Sequence, residues 1–265
     1  MCFLKYFSVS LRAVFAVAVV LAFAAFLYRP AENPAVRKTV VVELFTSEGC
    51  SSCPPADELL SRLRQEHSAE GVEIIPLGFH VDYWNSLGWQ DRFSSADYSK
   101  RQEQYAHKLR LEGPYTPQMV VDGAVEFVGN NAGRAHQVIA QAALQPQPAQ
   151  VEILFAAQEK ILVHVKAPGM APGHDVMLAI TEDNLANKVS AGENDGRVLH
   201  HSAVVREFRL LGQIHDGGFD ATVPLKLGKD WKLQDLRVVV FVQEAASGKI
   251  QGASSAAATS LSSGR

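Results

Sequence analysis

Residues Val40–Leu63 read VVVELFTSEGCSSCPPADELLSRL. The β-branched run Val40–Phe45 has the texture of a buried strand. Asp57–Gln65 places Leu59, Leu60 and Leu63 at helical spacing behind Asp57 and Glu58 in a first turn. Cys50 and Cys53 fall between the two, at the mouth of a helix. The first-turn N–H groups of a helix lack intrahelical partners and carry partial positive charge, which favours thiolate over thiol. Lowering a thiol pKa from about 8.5 to about 7 raises the thiolate share at neutral pH from roughly 3% to roughly half. Cys50, nearer the loop, is expected to be the exposed attacker, and Cys53, deeper in the first turn, to resolve the mixed disulfide. Pro54 and Pro55 cost such a helix little, because the N–H groups they remove would have been unpaired.

Outward from this stretch the pattern stays regular. Val72–Val81 (VEIIPLGFHV) reads as a second buried strand, and Ser95–Leu111 as a helix capped by Ser94 or Ser95 and stopped by Gly113–Pro114. Met119–Val128 (MVVDGAVEFV) is two short apolar runs joined by Asp122–Gly123, a strong hairpin signal, and Asn131–Leu144 closes the segment as a helix. Gln145–Gln150 (QPQPAQ) reads as a linker. Beyond it, Val151–Phe155, Lys160–Lys166, Asp175–Thr181, Val204–Leu211, Ala221–Leu227 and Leu236–Gln243 are strand candidates, which predicts a small antiparallel sandwich over 151–251. The Ser/Ala-rich tail 252–265 is expected to be disordered.

The N-terminal segment 1–38 is of another kind. Lys5 and Arg12 precede an apolar run, Ala13–Tyr28, that Arg29 and Pro30 close, followed by a polar spacer. This predicts export, either by a cleaved signal or by an anchor whose N-terminal side stays in the cytoplasm. The folded body is then periplasmic or secreted, in an oxidising compartment where cysteines pair. Cys2 belongs to the leader, so Cys50 and Cys53 have only each other. A net charge of -3 offers no basic excess for nucleic acid.

The order strand, CxxC, helix, strand, helix, hairpin, helix resembles the thioredoxin fold. Tyr115-Thr116-Pro117-Gln118, just before the hairpin, matches the place of that fold's cis proline. The resemblance implies that Thr116 and Pro117 bind an extended substrate beside the cysteines. It also implies a buried acid on the strand leading to them, for which Glu43 is the candidate, one residue farther from the first cysteine than usual. More closely, FTSEGCSSCPPAD, HVDYWNSLGW, YTPQMVVDG, ITEDN and GENDGRVLHH are similar to a bacterial family of exported thioredoxin-like proteins catalogued as a domain of unknown function. The expected architecture is thus an α/β thioredoxin-like domain (39–144) followed by a small antiparallel β-sandwich. His80, Asp82, Trp84 and Trp89 end the second strand and open the loop after it, where Trp84 is a candidate for substrate binding. His200, His201 and His215 read as surface histidines.

Three functions are consistent with these residues. The first is a cell-envelope thiol-disulfide oxidoreductase with catalytic Cys50, Cys53 and Glu43. It would act on protein or small thiols, without a cofactor or resident metal. The second is a copper-handling protein using Cys50, Cys53 and His80, since soft thiolates with an imidazole suit Cu(I). The third is a binding protein in which the disulfide is a staple; so short a loop gains little from cross-linking.

Overall fold

The computed structural model describes residues 38–66 and 71–259. Residues 1–37, on which the expected signal or anchor and Cys2 fall, lie outside the described residues, as do the last six residues of the tail.

Strand β1 (Lys38–Thr46) is buried from Thr39 onward, and its alternation sends side chains to two different cores. Val40, Val42 and Leu44 meet Leu59, Leu60 and Leu63 of α1 (Pro54–Gln65) and Val138 and Ile139 of α3 (Ala132–Ala143). Val41 and Phe45 turn the other way, toward Tyr98 and Tyr105 of α2 (Ala96–Leu109). β2 (Val72–His80) runs parallel to β1, β3 (Gln118–Val121) antiparallel to it, and β4 (Val125–Val128) pairs with β3 across the Asp122–Gly123 turn. Ser95 caps α2 by accepting the Asp97 N–H.

The second half does not form the separate sandwich expected of it. β7 (His174–Glu182), β10 (Val204–Gln213), β12 (Leu236–Glu244) and β13 (Ile250–Ala257) join the first half in one eight-stranded mixed sheet of order β13-β12-β7-β10-β2-β1-β3-β4. The two halves meet where β10 lies parallel to β2 at Val204 and Gly78, with the Gly78 N–H donating to the Ala203 carbonyl at 2.7 Å. The reason is visible in β12, which is apolar on both faces. Val238, Val240 and Val242 pack with Ile161 and Val163 under a three-stranded sheet of β5 (Gln150–Ala156), β6 (Lys160–Lys166) and β11 (Gly218–Pro224). Val239 and Phe241 pack on the opposite side with Phe45, Phe79 and Tyr105 from the first half. A strand buried on both faces belongs in the middle of a layered sheet. The described residues accordingly form one unit from Lys38, and 145–150 is a connection within it.

The tail is the second correction. Ile250–Ala257 pairs antiparallel with β12, and Thr39 Oγ1 donates to the Ala253 carbonyl at 3.2 Å. Small residues mark close packing here: a Cβ on Gly252 would stand 2.0 Å from the Ala149 carbonyl oxygen. The remaining pair, β8 (Leu185–Lys188) and β9 (Val198–His201), is a separate hairpin.

Asp122 ties the β3–β4 turn to β1, its Oδ1 accepting the Val41 N–H at 2.8 Å. Burial pushes its carboxyl up to about 7, the Val41 N–H opposing and the charge of Glu43 adding to the rise. An acid that holds its proton more tightly when folded gives full stability below its ordinary pKa of 3.8 and loses it as pH rises to about 7. Asp122→Asn keeps the acceptor without the charge. Thermal melts should show it more stable than the wild type above pH about 7, with the decline across that window flattened.

Candidate functional site

Cys50 and Cys53 are joined in a disulfide with Cα atoms 5.4 Å apart, where β1 turns into α1. Cys53 is the residue before Pro54 that caps the helix, and its carbonyl accepts from Ala56 N at 2.8 Å and Asp57 N at 3.1 Å. Ser51 and Ser52 stand exposed at the tip, whereas both cysteines are 0% exposed. The expectation of an exposed Cys50 is therefore corrected.

The cover comes from the second half. Asn194, between β8 and β9, donates from one amide nitrogen to the carbonyls of Glu48 and Cys50, each at 2.9 Å. The neighbouring Glu193 carboxylate accepts the Ser51 N–H at 3.0 Å, and Ser51 holds that carboxyl below its usual range. Glu48, fully buried, is bound from four directions. Its carboxylate accepts from Trp89 Nε1 and Asn187 Nδ2, each at 2.9 Å, and lies 3.2 Å from His201 Nε2, while its N–H donates to Asp91 at 2.9 Å.

Trp84 and Thr116–Pro117 stand on the other side of the cysteine loop. The Thr116–Pro117 bond is cis, and Trp84 Nε1 donates to Thr116 Oγ1 at 2.8 Å. A Cβ on Gly49 would stand 3.1 Å from Trp84 Cβ, so the residue before Cys50 must be small for the indole to lie against the loop. Pro117 packs toward the same space as Leu44 and Ala56, since a Cβ on Gly129 would meet all three. Cys50, Cys53, Trp84, Thr116 and Pro117 are thus brought together as a group.

Glu43 is not brought to them. Its parity on β1 turns it away from α1, and both its oxygens are taken by α2: Arg101 Nε donates at 2.6 Å and the Tyr105 hydroxyl donates to the other. Arg101 also donates to Gln243 at 3.2 Å and lies 4.6 Å from the centroid of the Phe208 ring. Glu43 is thus the anionic half of a buried ion pair and is corrected as a proton acceptor for Cys53.

The buried acid on the cysteine helix itself is Asp57, one turn past Cys53 and bonded by Thr46 Oγ1 at 3.2 Å. Burial pushes its carboxyl above the usual value, against the charges of His201 and His80 and the Thr46 hydroxyl. Under it lie two buried imidazoles, His80 and His201, with ring centroids 4.8 Å apart; the reading of His201 as a surface residue is corrected. Asp91 binds His80 Nδ1 at 2.6 Å. Burial opposes charge on His80, but the charge and hydrogen bond of Asp91, with Asp57 and Glu48 behind, outweigh it and raise the pKa. Burial likewise opposes ionisation of Asp91, yet His80 and the N–H groups of Glu48 and Phe93 hold it at about 2. The sequence singled out His80 as a candidate, took Asp57 only as a first-turn acid of the helix, and did not single out Asp91 or Asn194. The string GENDGRVLHH, which contains Asn194 and His201, was the available signal for the cover.

With both sulfurs in the disulfide, the copper set of Cys50, Cys53 and His80 is not assembled in this form. Among the described residues, no group of three or more His, Cys, Asp or Glu is arranged to hold a metal. No described helix is long and apolar enough to cross a membrane.

Comparisons with known proteins bear on the family and the fold. The chain is similar to the crystal structure of protein AGR_C_4864 from Agrobacterium tumefaciens, with 29% identity, a TM-score of 0.65, and coverage of 82% of this chain and 92% of that one. A domain of the outer membrane lipoprotein Omp28 from Porphyromonas gingivalis matches at 14% identity and a TM-score of 0.25, over 40% of this chain and 90% of that one. No curated protein matches. The family described as "Protein of unknown function (DUF1223)" matches residues 41–243, which include the cysteine loop, the hairpin that covers it and most of the sheet that joins them; the chain belongs to that family.

Proposed function

We propose that the protein is a thiol-disulfide oxidoreductase of the cell envelope, working through Cys50 and Cys53 on protein or small-thiol substrates. The observation that carries this reading is the Cys50–Cys53 disulfide at the N-terminus of α1, flanked by Trp84 and Thr116–Pro117. The first half supports a thioredoxin-like reading in its own right. The order β2-β1-β3-β4, with β2 parallel and β3 antiparallel to β1, puts the cysteine loop at the C-terminal end of a central strand. A staple would be a poor use of this pair, because a loop of so few residues loses little chain entropy on closure. The apolar run Ala13–Tyr28 supports export, by a signal or as an inner-membrane anchor, and export favours cysteine pairing.

In the exchange, a substrate thiolate attacks Cys50 and displaces Cys53, or the reverse, with two electrons passing between the pair and the substrate. Cys53→Ser should therefore accumulate mixed disulfides through Cys50, visible as thiol-sensitive bands on non-reducing gels, while Cys50→Ser should accumulate none. No such bands from either variant would exclude the exchange.

A further inference from the structure

The disulfide is sealed from water, and that creates a problem the oxidoreductase reading must solve. Cys53 can resolve a mixed disulfide only after losing its proton, and in the oxidised form to which that step returns it is 0% exposed, so an acceptor within the fold would serve it. Among the described residues, the buried side-chain nitrogens and oxygens with no hydrogen-bond partner are His80 Nε2 and His201 Nδ1. Both belong to imidazoles held from the other side by a carboxylate: His201 by Glu48 at 3.2 Å through Nε2, His80 by Asp91 at 2.6 Å through Nδ1. In a neutral imidazole, a carboxylate on one ring nitrogen fixes the proton there and leaves the other nitrogen as a free acceptor, the role open to His201 Nδ1. Phe93 closes one side of the compartment, with its ring 5.4 Å from His80 and 5.8 Å from His201.

Asp57 connects this compartment to the cysteine. Its Oδ2 lies 4.0 Å from His201 Nδ1, and it follows Cys53 by one turn on α1 with its N–H on the Cys53 carbonyl. The titratable groups facing the two imidazoles are Asp57 from α1, Glu48 from the cysteine loop and Asp91 from the segment before α2, together with each other.

We propose, resting on the oxidoreductase reading, that His201, oriented by Glu48 and backed by His80, is the proton acceptor for Cys53. In the resolving step the Cys53 thiol passes its proton through the Asp57 side to His201 Nδ1, and its sulfur attacks Cys50 Sγ. The Cys50–Cys53 bond forms and the bond from Cys50 to the substrate sulfur breaks. The cysteines are oxidised, the substrate sulfur is reduced, and it leaves as a thiolate that takes the proton from His201. The acceptor thus comes from β9 in the second half of the chain, on the same hairpin that covers the disulfide.

The test uses the reduced protein loaded at Cys50 with thionitrobenzoate, whose thiolate leaves without a proton, so that its release reports deprotonation of Cys53. His201→Gln should slow release at neutral pH by about a hundredfold and move the pH profile toward that of an unassisted thiol. Glu48→Gln, which keeps an acceptor on the ring, should slow it by about tenfold. An unmoved profile in either folded variant would overturn the relay. Without any variant, nitrogen-15 shifts of the reduced wild-type protein should show the His201 proton on Nε2 and a bare Nδ1, and a proton held on Nδ1 with Nε2 bare would overturn the relay as well. A wild type that never releases thionitrobenzoate would overturn the oxidoreductase reading itself.

Discussion

Replacing Arg101 by leucine should lower the unfolding free energy by about 3–5 kcal/mol, because it leaves the Glu43 carboxylate buried without its cation. Glu43 is 0% exposed and Arg101 6%, so no water can substitute. The Tyr105 hydroxyl would remain as a donor, but a single neutral hydrogen bond does not balance a charge in this setting. Glu43→Leu should be damaging for the mirror reason, stranding a guanidinium among Phe79, Phe208 and Phe241. The double variant should recover a good part of the loss, since an apolar pair replaces a desolvated one. Urea unfolding of the four proteins measures the cycle, and purely additive losses would show that the two side chains are not coupled.

The second large effect is kinetic. Asn194→Ala removes both hydrogen bonds that clamp the hairpin onto the Glu48 and Cys50 carbonyls. Two neutral bonds contribute about 2 kcal/mol together, so the cover should open more often and a soluble thiol should reduce the disulfide about ten- to thirtyfold faster. Rates of thiol appearance under excess reductant give the number. An unchanged rate would mean that reductant reaches Cys50 without the hairpin moving. Asn187→Ala, which loses only its bond to Glu48, should give a smaller increase.

Much of the first half was legible because its signals are local. The β-branched run before Cys50, the Asp122–Gly123 turn and the Ser95 cap each act within a few residues, and the structure places the elements within a residue or three of where those signals put them. The division into two domains failed for a non-local reason. A proline-bearing segment looks the same whether it links domains or crosses the end of a sheet, and only the all-apolar run of β12 hinted that both of its faces would be covered. The tail failed because Ser and Ala carry no strand signal of their own, and β13 forms on an edge that β12 supplies. At the site, Cys50 and Cys53 stood out by their spacing at a strand–helix junction, whereas Thr116, Pro117 and Trp84 became candidates through the resemblance to the thioredoxin fold. Glu43 was misassigned because a buried acid on a strand is equally suited to an arginine and to a thiol, and the parity that decides between them depends on where α1 and α2 pack. Asn194 and His201 lie more than 140 residues beyond Cys50, too far for any spacing rule to relate them.

The shared sheet also bears on how this protein could be divided. A chain cut after Leu144 would keep the CxxC and the strand order β2-β1-β3-β4, but Phe45, Phe79 and Tyr105 would lose Phe208, Val239 and Phe241 and face solvent. The outer edge of β2 would lose its neighbour β10, and an uncovered apolar edge invites pairing with other chains. A minimal CxxC module excised at that point should therefore aggregate, and a grafting or domain-swap strategy has to carry β10 and β12 along with the cysteines.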